Sequence, residues 1–336
     1  MQLESPPLLS VFGLRDKKSL RGLSLRVEAG EFACLLGETV NGLSEAVRLI
    51  AGRGSPLGGE VFLRDRKITD DWPDRRKLCY VSEKPARLSF IWSKRALLTA
   101  YGFDASSLSR EEQHACLRIL RALALRPELL VICAAADKLN GPLRAKVFQA
   151  LKDASLSGTG ILYATDDREP VMAFADRVLL LSRGRIIQEG SPEELCEHPL
   201  SEKAALMCGG FILIRGQAAA VKGDKLLFSS DGLSIPCRSE LWLTPGEQLT
   251  LCLRHRWLEW SKEADSSFSP PLRAKLLQAD PCPAGHRLSF QLTNGLRFTL
   301  ERDELPASRR QPGENYYVRW DMDKAILLRP DVEEKQ

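Results

Sequence analysis

The segment CLLGETVNGLSEAVRLIAG, residues 34–52, is the most informative stretch of the first half of this chain. It combines a short apolar strand, a loop with two glycines, and apolar residues at helical spacing. A strand, a glycine-containing loop and a helix in this order can surround a phosphate with backbone N–H groups. The loop and the first helical turn comprise Gly37, Glu38, Thr39, Val40, Asn41, Gly42, Leu43, Ser44 and Glu45. The segment therefore predicts the shape of a phosphate loop, although residues 37–45 contain no lysine or arginine.

Length and charge limit the class of protein. With 336 residues, 44% of them hydrophobic, the chain can form more than one core, so we expect two domains. Its 48 basic and 44 acidic residues give no electrostatic basis for binding nucleic acid. We expect the basic runs LRDKKSLR (14–21) and RDRK (64–67) to be solvated faces. No stretch approaches the ~18 apolar residues of a membrane span, so we expect any membrane role to depend on a partner.

The cysteines and the first residues bear on the compartment. Nine cysteines are scattered without a C-x-x-C pair or a histidine at metal-ligand spacing. We therefore expect neither a metal site nor a disulfide framework. The start, MQLESPPLLSVFG, lacks a basic region followed by an apolar run, so we expect no secretory signal. Together these features predict a cytoplasmic protein.

Strand and helix patterns alternate up to about residue 190. FACLL (32–36), PELLVICAAA (127–136) and GILYATDD (160–167) predict buried strands, while HACLRILRALAL (114–125) and REPVMAFADR (168–177) predict helices. VLLLSRGRIIQEG (178–190) predicts a hairpin. This alternation is typical of an α/β fold with a mostly parallel sheet covered on both faces.

The pattern changes near residue 210. In GSPEEL (190–195), Ser191 can cap a helix, Pro192 suits its first position and Glu194 completes a capping box, so we expect a linker helix at about 191–208. Beyond residue 211, short alternating runs predict strands, and Asn294-Gly295 predicts a hairpin turn. We expect small β-barrels here. The predicted domains are 1–210 and 211–336.

In this order, the segments resemble the ATP-binding subunits of ABC transporters, most closely importer subunits of the maltose, sulfate, polyamine and iron type. The matching stretches include residues 22–37, 47–52, 58–83, 122–132 and 161–195. The stretch PGEQLTLCLRHRWLE (245–259) resembles the TOBE regulatory domain of the same importers. The resemblance covers nearly the whole chain. It implies a P-loop NTPase-like ABC nucleotide-binding domain followed by an OB- or TOBE-like β-barrel regulatory domain.

The phosphate loop departs from the family pattern GxxGxGK[ST][ST]. Val40 replaces the middle glycine and Leu43 replaces the lysine, while Gly37, Gly42 and Ser44 remain. Valine resists positive φ, and the lost lysine removes a charge-assisted contact worth ~1.5–3 kcal/mol. The resemblance therefore implies a vestigial loop. We expect no cofactor, with weak binding of ATP and Mg²⁺ as the most that the loop would allow.

Residues at the family's catalytic positions are also replaced. Glu83 aligns with the glutamine of the Q-loop and Asp166 with the switch histidine. Cys133 and Ala134 align with the metal-binding aspartate and the catalytic glutamate. Neither can hold Mg²⁺ through water or accept a proton from an attacking water. The resemblance thus leaves no catalytic position intact.

The family's remaining contacts to nucleotide are altered as well. LSREEQ (108–113) stands where the signature LSGGQ would be, with Gln113 as its remaining residue. The adenine-stacking aromatic aligns with Leu14, or with Phe12 after a short shift. The interval between Glu83 and Ser109 is shorter than in the family, which implies a trimmed helical subdomain.

Three local alternatives remain open. Asp137, Asp166 and Asp167 either imitate a metal site or are solvated at strand ends. Glu38 or Glu45 either acts as an internal anion at the exposed N–H groups of the helix or points into solvent. The basic cluster at residues 254–256, with Trp257 and Trp260, either frames a small oxyanion or lies on a strand edge with its tryptophans in the core.

Two main functions compete. The first is a pseudo-ATPase, a structural or regulatory subunit of a membrane transport complex. The alternative is a functional ATP-binding and hydrolysing subunit that energises uptake of a small solute. In both cases the resemblance implies permease membrane subunits or an intact ATP-binding subunit as partners, with a homodimer possible and with a peripheral location at the inner face of the cell membrane.

Overall fold

The computed structural model describes residues 6–38, 42–69, 77–82, 93–239, 241–263, 272–282, 285–302 and 311–331. The chain divides into two compact units, residues 1–197 and 198–336. Each unit has its own hydrophobic core. The division therefore lies before the boundary expected near residue 210.

The first unit contains ten strands and six helices among its described residues. In chain order they are β1 (Leu9–Arg15), β2 (Arg21–Val27), β3 (Phe32–Gly37), α1 (Leu43–Ile50), β4 (Gly58–Leu63), β5 (Arg66–Lys67), β6 (Leu78–Ser82), α2 (Lys94–Ala100), α3 (Arg110–Ala124), β7 (Leu129–Cys133), α4 (Gly141–Leu156), β8 (Gly160–Thr165), α5 (Arg168–Phe174), β9 (Arg177–Ser182), β10 (Arg185–Gly190) and α6 (Pro192–Glu197).

These strands form two sheets. The larger has the order β10-β9-β3-β8-β7-β6, in which all neighbours are parallel except the β9–β10 hairpin. The smaller, β2-β1-β4-β5, is antiparallel. Strands β3, β7 and β8 are buried along their whole length, because parallel strands are covered on both faces. The predicted α/β fold with a mostly parallel sheet is confirmed.

Capping sets where the helices begin. The helix predicted from residue 114 begins at Arg110, because Ser109 caps it and Glu112 closes the capping box. The predicted cap at Ser191 is present, since its Oγ accepts from the N–H of Glu194 at 3.1 Å. The predicted linker helix of 191–208 is wrong as one element. It ends at Glu197, and a second helix starts at Glu202 with Ser201 as its cap.

The second unit is almost entirely β-structure. In chain order it contains α7 (Glu202–Cys208), β11 (Phe211–Lys222), β12 (Lys225–Ser230), β13 (Leu233–Arg238), β14 (Gln248–Arg254), β15 (Glu259–Ser261), β16 (Leu272–Cys282), β17 (Gly285–Leu292), β18 (Arg297–Arg302), β19 (Asn315–Arg319) and β20 (Ile326–Leu328). Short 3₁₀ turns occupy His255–Trp257 and Met322–Lys324.

The strands of this unit form two antiparallel sheets of five, in the orders β13-β12-β11-β14-β20 and β15-β19-β16-β17-β18. Residues of both sheets contribute to one core. The predicted β-rich second unit is confirmed, and in place of the expected small β-barrels its described strands form two five-stranded sheets whose edge strands do not pair with each other. The hairpin predicted at Asn294-Gly295 joins β17 to β18, and the N–H of Leu292 donates to the carbonyl of Leu296 at 2.9 Å.

The first helix of this unit is attached to its sheet by a buried carboxylate. Glu202 is 5% exposed and accepts from the guanidinium of Arg215 on β11 (2.9 Å) and from the hydroxyl of Thr250 on β14. Burial raises the pKa of Glu202, but these hydrogen bonds outweigh burial and lower it overall. Glu202 explains why α7 belongs to the second unit rather than to a linker.

Candidate functional site

Three neighbouring parallel strands end at the same edge of the larger sheet. Their register pairs Leu36 with Thr165 and Cys133 with Ala164, so the segments after β3, β7 and β8 start side by side. The structure thus places Gly37, Glu38, residues 42–45, Cys133, Ala134 and Asp166 at one edge. The predicted site residues Thr39, Val40, Asn41 and Glu83 lie outside the described residues.

The two retained glycines of the loop are required by packing. A Cβ on Gly37 would lie 2.9 Å from the carbonyl oxygen of Leu181 on β9. Gly42 has φ 92°, and a Cβ there would lie 2.8 Å from the Cβ of Ser19 and 3.1 Å from Cδ2 of Leu20. The loop between β1 and β2 therefore packs directly against the start of α1. Close approach of backbone accounts for both glycines without a bound phosphate.

Leu43, at the lysine position, belongs to the core. Its side chain is 2% exposed and lies in the same hydrophobic cluster as Leu20. A buried apolar side chain offers a phosphate neither a charge nor a donor. Position 43 is thus part of the hydrophobic core of the first unit.

Cys133, aligned with the family's metal-binding aspartate, contacts Ser44 at the start of α1. Sγ of buried Cys133 lies 3.6 Å from Oγ of Ser44 on α1. Magnesium prefers hard oxygen ligands, usually carboxylates, and a thiol is a soft ligand suited to other metals. The pair does not fit magnesium. Nor do any three His, Cys, Asp or Glu side chains in the described part of the chain form a group able to hold a metal.

Ala134, at the catalytic-glutamate position, has a left-handed backbone with φ 47°. Its N–H donates to the carbonyl of Ala164 at 2.9 Å, and its methyl packs against the core of the first unit. A methyl group cannot act as an acid or a base. A left-handed turn thus follows β7, and Asp166 after β8 is exposed.

Two of the three aspartates at this edge accept hydrogen bonds within the first unit, and Asp166 is exposed. Asp137 accepts from the hydroxyls of Tyr163 (2.7 Å) and Thr165 (2.6 Å). Asp167 caps α5 through the N–H of Glu169 and pairs with Arg144. Asp137 is half-buried and hydrogen-bonded to two hydroxyls, so it is not the freely solvated carboxylate that one of the two alternatives describes.

Burial raises the pKa of Asp137, although the bonds from Thr165 and Tyr163 oppose that rise. The Tyr163 hydroxyl also accepts from the N–H of Ala136 at 3.2 Å. Tyr163 is the signal of this network in the sequence, because a tyrosine in an otherwise apolar buried strand needs a partner for its hydroxyl.

Glu45 does not act as the internal anion. Both of its oxygens accept from the guanidinium of Arg48, at 2.8 and 2.6 Å, one turn further along α1. This pairing directs the carboxylate along the helix. Glu38 is exposed.

The signature segment serves to start α3. Ser109 and Glu112 form the capping box, and Glu112 also accepts from the amide of Asn140, the cap of α4. The amide of Gln113 donates to the carbonyls of Ala105 (2.8 Å) and Leu108 (3.0 Å). The side chains of Ser109, Glu112 and Gln113 are thus engaged within the first unit.

Of the two residues considered for stacking on adenine, only one is accessible. Leu14 is fully buried, whereas Phe12 on β1 is 57% exposed and meets Phe62 edge to face at 6.0 Å. The structure therefore excludes Leu14 from stacking on a ligand.

In the basic cluster of the second unit, Arg254 and His255 are half-buried and Arg256 is exposed. Trp260 is 8% exposed, and the guanidinium of Arg302 lies 5.3 Å from the centre of its ring. Arg302 also donates to the carbonyls of His255 (2.8 Å) and Leu258 (2.7 Å). Trp257 meets Phe211 edge to face at 6.2 Å. Trp260 thus lies in the core of the second unit, as the second alternative expected, whereas Trp257 is half-buried in the turn after β14.

Known proteins resemble this chain in sequence and in fold. No family model matches the chain. The spermidine/putrescine import ATP-binding protein PotA of Nitratidesulfovibrio vulgaris is 25% identical over 355 residues, covering 95% of each chain. The sulfoquinovosyl glycerol transport ATP-binding protein SmoE of Agrobacterium fabrum is 28% identical over 247 residues, covering 65% of this chain and 68% of that protein.

Among solved structures, an ATP-binding cassette of an ABC transporter superposes with a TM-score of 0.51 at 16% identity. The match covers 61% of this chain and 99% of that one. At this identity the likeness concerns the fold, which is that of a P-loop NTPase cassette. None of the helices in the described ranges has the length and apolar character needed to span a bilayer.

Proposed function

Because this chain is a homologue of importer-type ABC ATP-binding subunits, we propose that it is a subunit of a membrane transport complex that has lost ATPase chemistry. In this role it acts as a structural or regulatory pseudo-ATPase. The observation that carries the proposal is the burial of Leu43 in the core, where a functional loop needs a lysine on the phosphates. Support also comes from the contact between Ser44 and Cys133 and from the methyl group of Ala134.

The residues present do not fit Mg·ATP. A phosphate loop needs a cation and open N–H groups, and a magnesium site needs oxygen ligands. We therefore propose that the subunit carries no resident nucleotide or metal.

The relatives' names, spermidine/putrescine import and sulfoquinovosyl glycerol transport, refer to uptake of small solutes by those proteins. By analogy we assign this chain to an importer at the inner face of the cell membrane. Its partners would be permease subunits, an intact ATP-binding subunit, or a second copy of itself.

Equilibrium dialysis of the purified chain against millimolar Mg·ATP, with phosphate release measured in parallel, tests the proposal. The spermidine/putrescine import ATP-binding protein of N. vulgaris serves as the positive control. We expect neither binding nor turnover. Saturable binding that is lost in Leu43→Glu, or steady release of phosphate, would instead establish a functional ATPase that energises uptake of a small solute.

A further inference from the structure

Two segments far apart in sequence meet at one end of the first unit. The N–H of Arg21, at the start of β2, donates to the carbonyl of Gly184 in the β9–β10 turn at 3.1 Å. Nε of Arg185 donates back to the carbonyl of Arg21 at 3.2 Å. These segments carry six exposed cations, called the basic tip below: Arg15, Lys17, Lys18, Arg21, Arg183 and Arg185.

The basic tip lacks counter-charges. None of its six cations forms an ion pair with any residue that the structure describes. The one carboxylate in the two segments, Asp16, is turned into its own loop. It accepts from the N–H (2.7 Å) and the hydroxyl (2.8 Å) of Ser19. The tip therefore presents a positive surface that its own segments do not neutralise.

Two features of the basic tip destabilise the folded chain when no partner is bound. Arg15 and Arg21 lie directly opposite each other in the register of β1 and β2, and like charges at such positions repel. Arg183 adopts φ 48°, a left-handed conformation that glycine or asparagine occupies at lower cost. An anionic partner would relieve the repulsion, whereas solvent alone only screens it.

Exposed apolar side chains adjoin these cations. The N–H of Leu57 donates to the carbonyl of Arg15 at 2.9 Å, and the side chain of Leu57 is 65% exposed. Phe12, three residues before Arg15, is 57% exposed. Cations beside exposed leucine and phenylalanine match the interface of an anionic bilayer, where charge meets headgroups and apolar groups enter the acyl boundary. A fully hydrated polyanion would leave both apolar groups in water.

We propose that the basic tip is a docking surface for an anionic lipid bilayer. The proposal is independent of ATP chemistry. Sedimentation with phosphatidylcholine vesicles, with and without phosphatidylglycerol, tests it in the full chain. We expect binding only to the anionic vesicles, and loss of that binding as salt is raised.

The variant Arg15→Gln/Arg21→Gln/Arg183→Asn removes three charges of the tip. At about fivefold per cation, partitioning should fall on the order of 100-fold. Asparagine suits the left-handed position 183, so the variant should remain folded. The control Lys222→Gln/Lys225→Gln/Arg273→Gln removes three exposed charges of the second unit, and its binding should stay at the wild-type level.

The variant Leu57→Ser distinguishes binding to a bilayer from binding to a soluble polyanion. It should weaken vesicle binding and leave binding of polyglutamate unchanged. The proposal would be overturned by equal binding to both vesicle types or by equal losses in the two triple variants. It would also be overturned if polyglutamate bound more tightly than vesicles, which would favour an acidic protein segment as the partner.

Discussion

Single residues decide the chemistry of the sheet edge. Leu43, Cys133 and Ala134 stand where the resemblance expects groups that bind phosphate or metal, and each has a place in the packing of the first unit. Substituting one of these three residues with the family's side chain is therefore expected to change the stability of the first unit as well as its chemistry.

Leu43→Lys should destabilise the first unit by roughly 2–4 kcal/mol, because an ammonium group would be placed in a hydrophobic cluster. The variant should still fail to bind Mg·ATP. Urea denaturation followed by circular dichroism measures the loss. Leu43→Met, which conserves volume, is the control and should cost less than about 1.5 kcal/mol. A lysine variant as stable as wild type would show that position 43 can reach solvent.

Ala134→Gly should stabilise the chain by about 0.5–1 kcal/mol. An L-residue with φ 47° costs energy that glycine avoids, and this gain exceeds the extra freedom of glycine in the unfolded chain. Denaturant midpoints measure the change. Ala135→Gly is the matched control, since Ala135 is buried next to it without a positive φ, and it should destabilise. Equal effects of the two substitutions would contradict strain at Ala134.

Elements begin and end where local capping allows. Ser109, Asn140, Ser191 and Ser201 each accept from a backbone N–H in the first turn of their helices. The break between α6 and α7 shows the limit of local rules, because the second helix is held by Glu202, whose partners lie on strands β11 and β14.

Glu202→Gln should lower stability at neutral pH by roughly 1–2 kcal/mol. Hydrogen bonds to a charged group are worth ~1.5–3 kcal/mol, and Arg215 is exposed, so solvent screens its share. Because the folded-state pKa of Glu202 is lowered, its contribution is present above the unfolded-state pKa of about 4.3. The contribution is lost as the pH falls through the lower folded-state pKa.

Denaturation of wild type and variant across this acid range checks the sign. The stability difference should disappear in acid. Glu193→Gln, an exposed glutamate on α6, should show no difference at any pH. A difference that stays constant with pH would exclude an ionised Glu202 as the stabilising form.

The whole molecule has two hydrophobic cores, one in each unit. Six of the seven described helices belong to the first unit, and four of the six tryptophans (242, 257, 260 and 320) belong to the second. Helical circular dichroism and tryptophan fluorescence therefore report mainly on different units.

Phe290→Ala, in the second core, should cost about 3–5 kcal/mol and lower the midpoint seen by fluorescence alone. Phe148→Ala, in the first unit, should lower the midpoint seen by circular dichroism alone. Each variant serves as the experimental control for the other. If both probes shift together in either variant, the units unfold as one cooperative structure.

Short-range patterns were sufficient for much of the fold. The period of apolar residues predicted the parallel strands and α1, Ser191 predicted the start of α6, and Asn294-Gly295 predicted the β17–β18 hairpin. Each depends on residues within one turn or one hairpin of each other. Composition and spacing did not reveal that the strands of the second unit form two open sheets, because sheet closure depends on which distant edges pair.

By itself, the sequence determined which chemical groups stand at residues 37–45 and at the end of β7, since a leucine cannot carry charge wherever it lies. Only the tertiary structure decided what surrounds them. It buried Leu43, brought Ser44 to Cys133 across 89 positions and bound Asp137 to Tyr163 across 26. It also joined Arg21 to Gly184 in the basic tip. Contacts of this kind form where separate strands meet, and no local pattern of residues encodes that meeting.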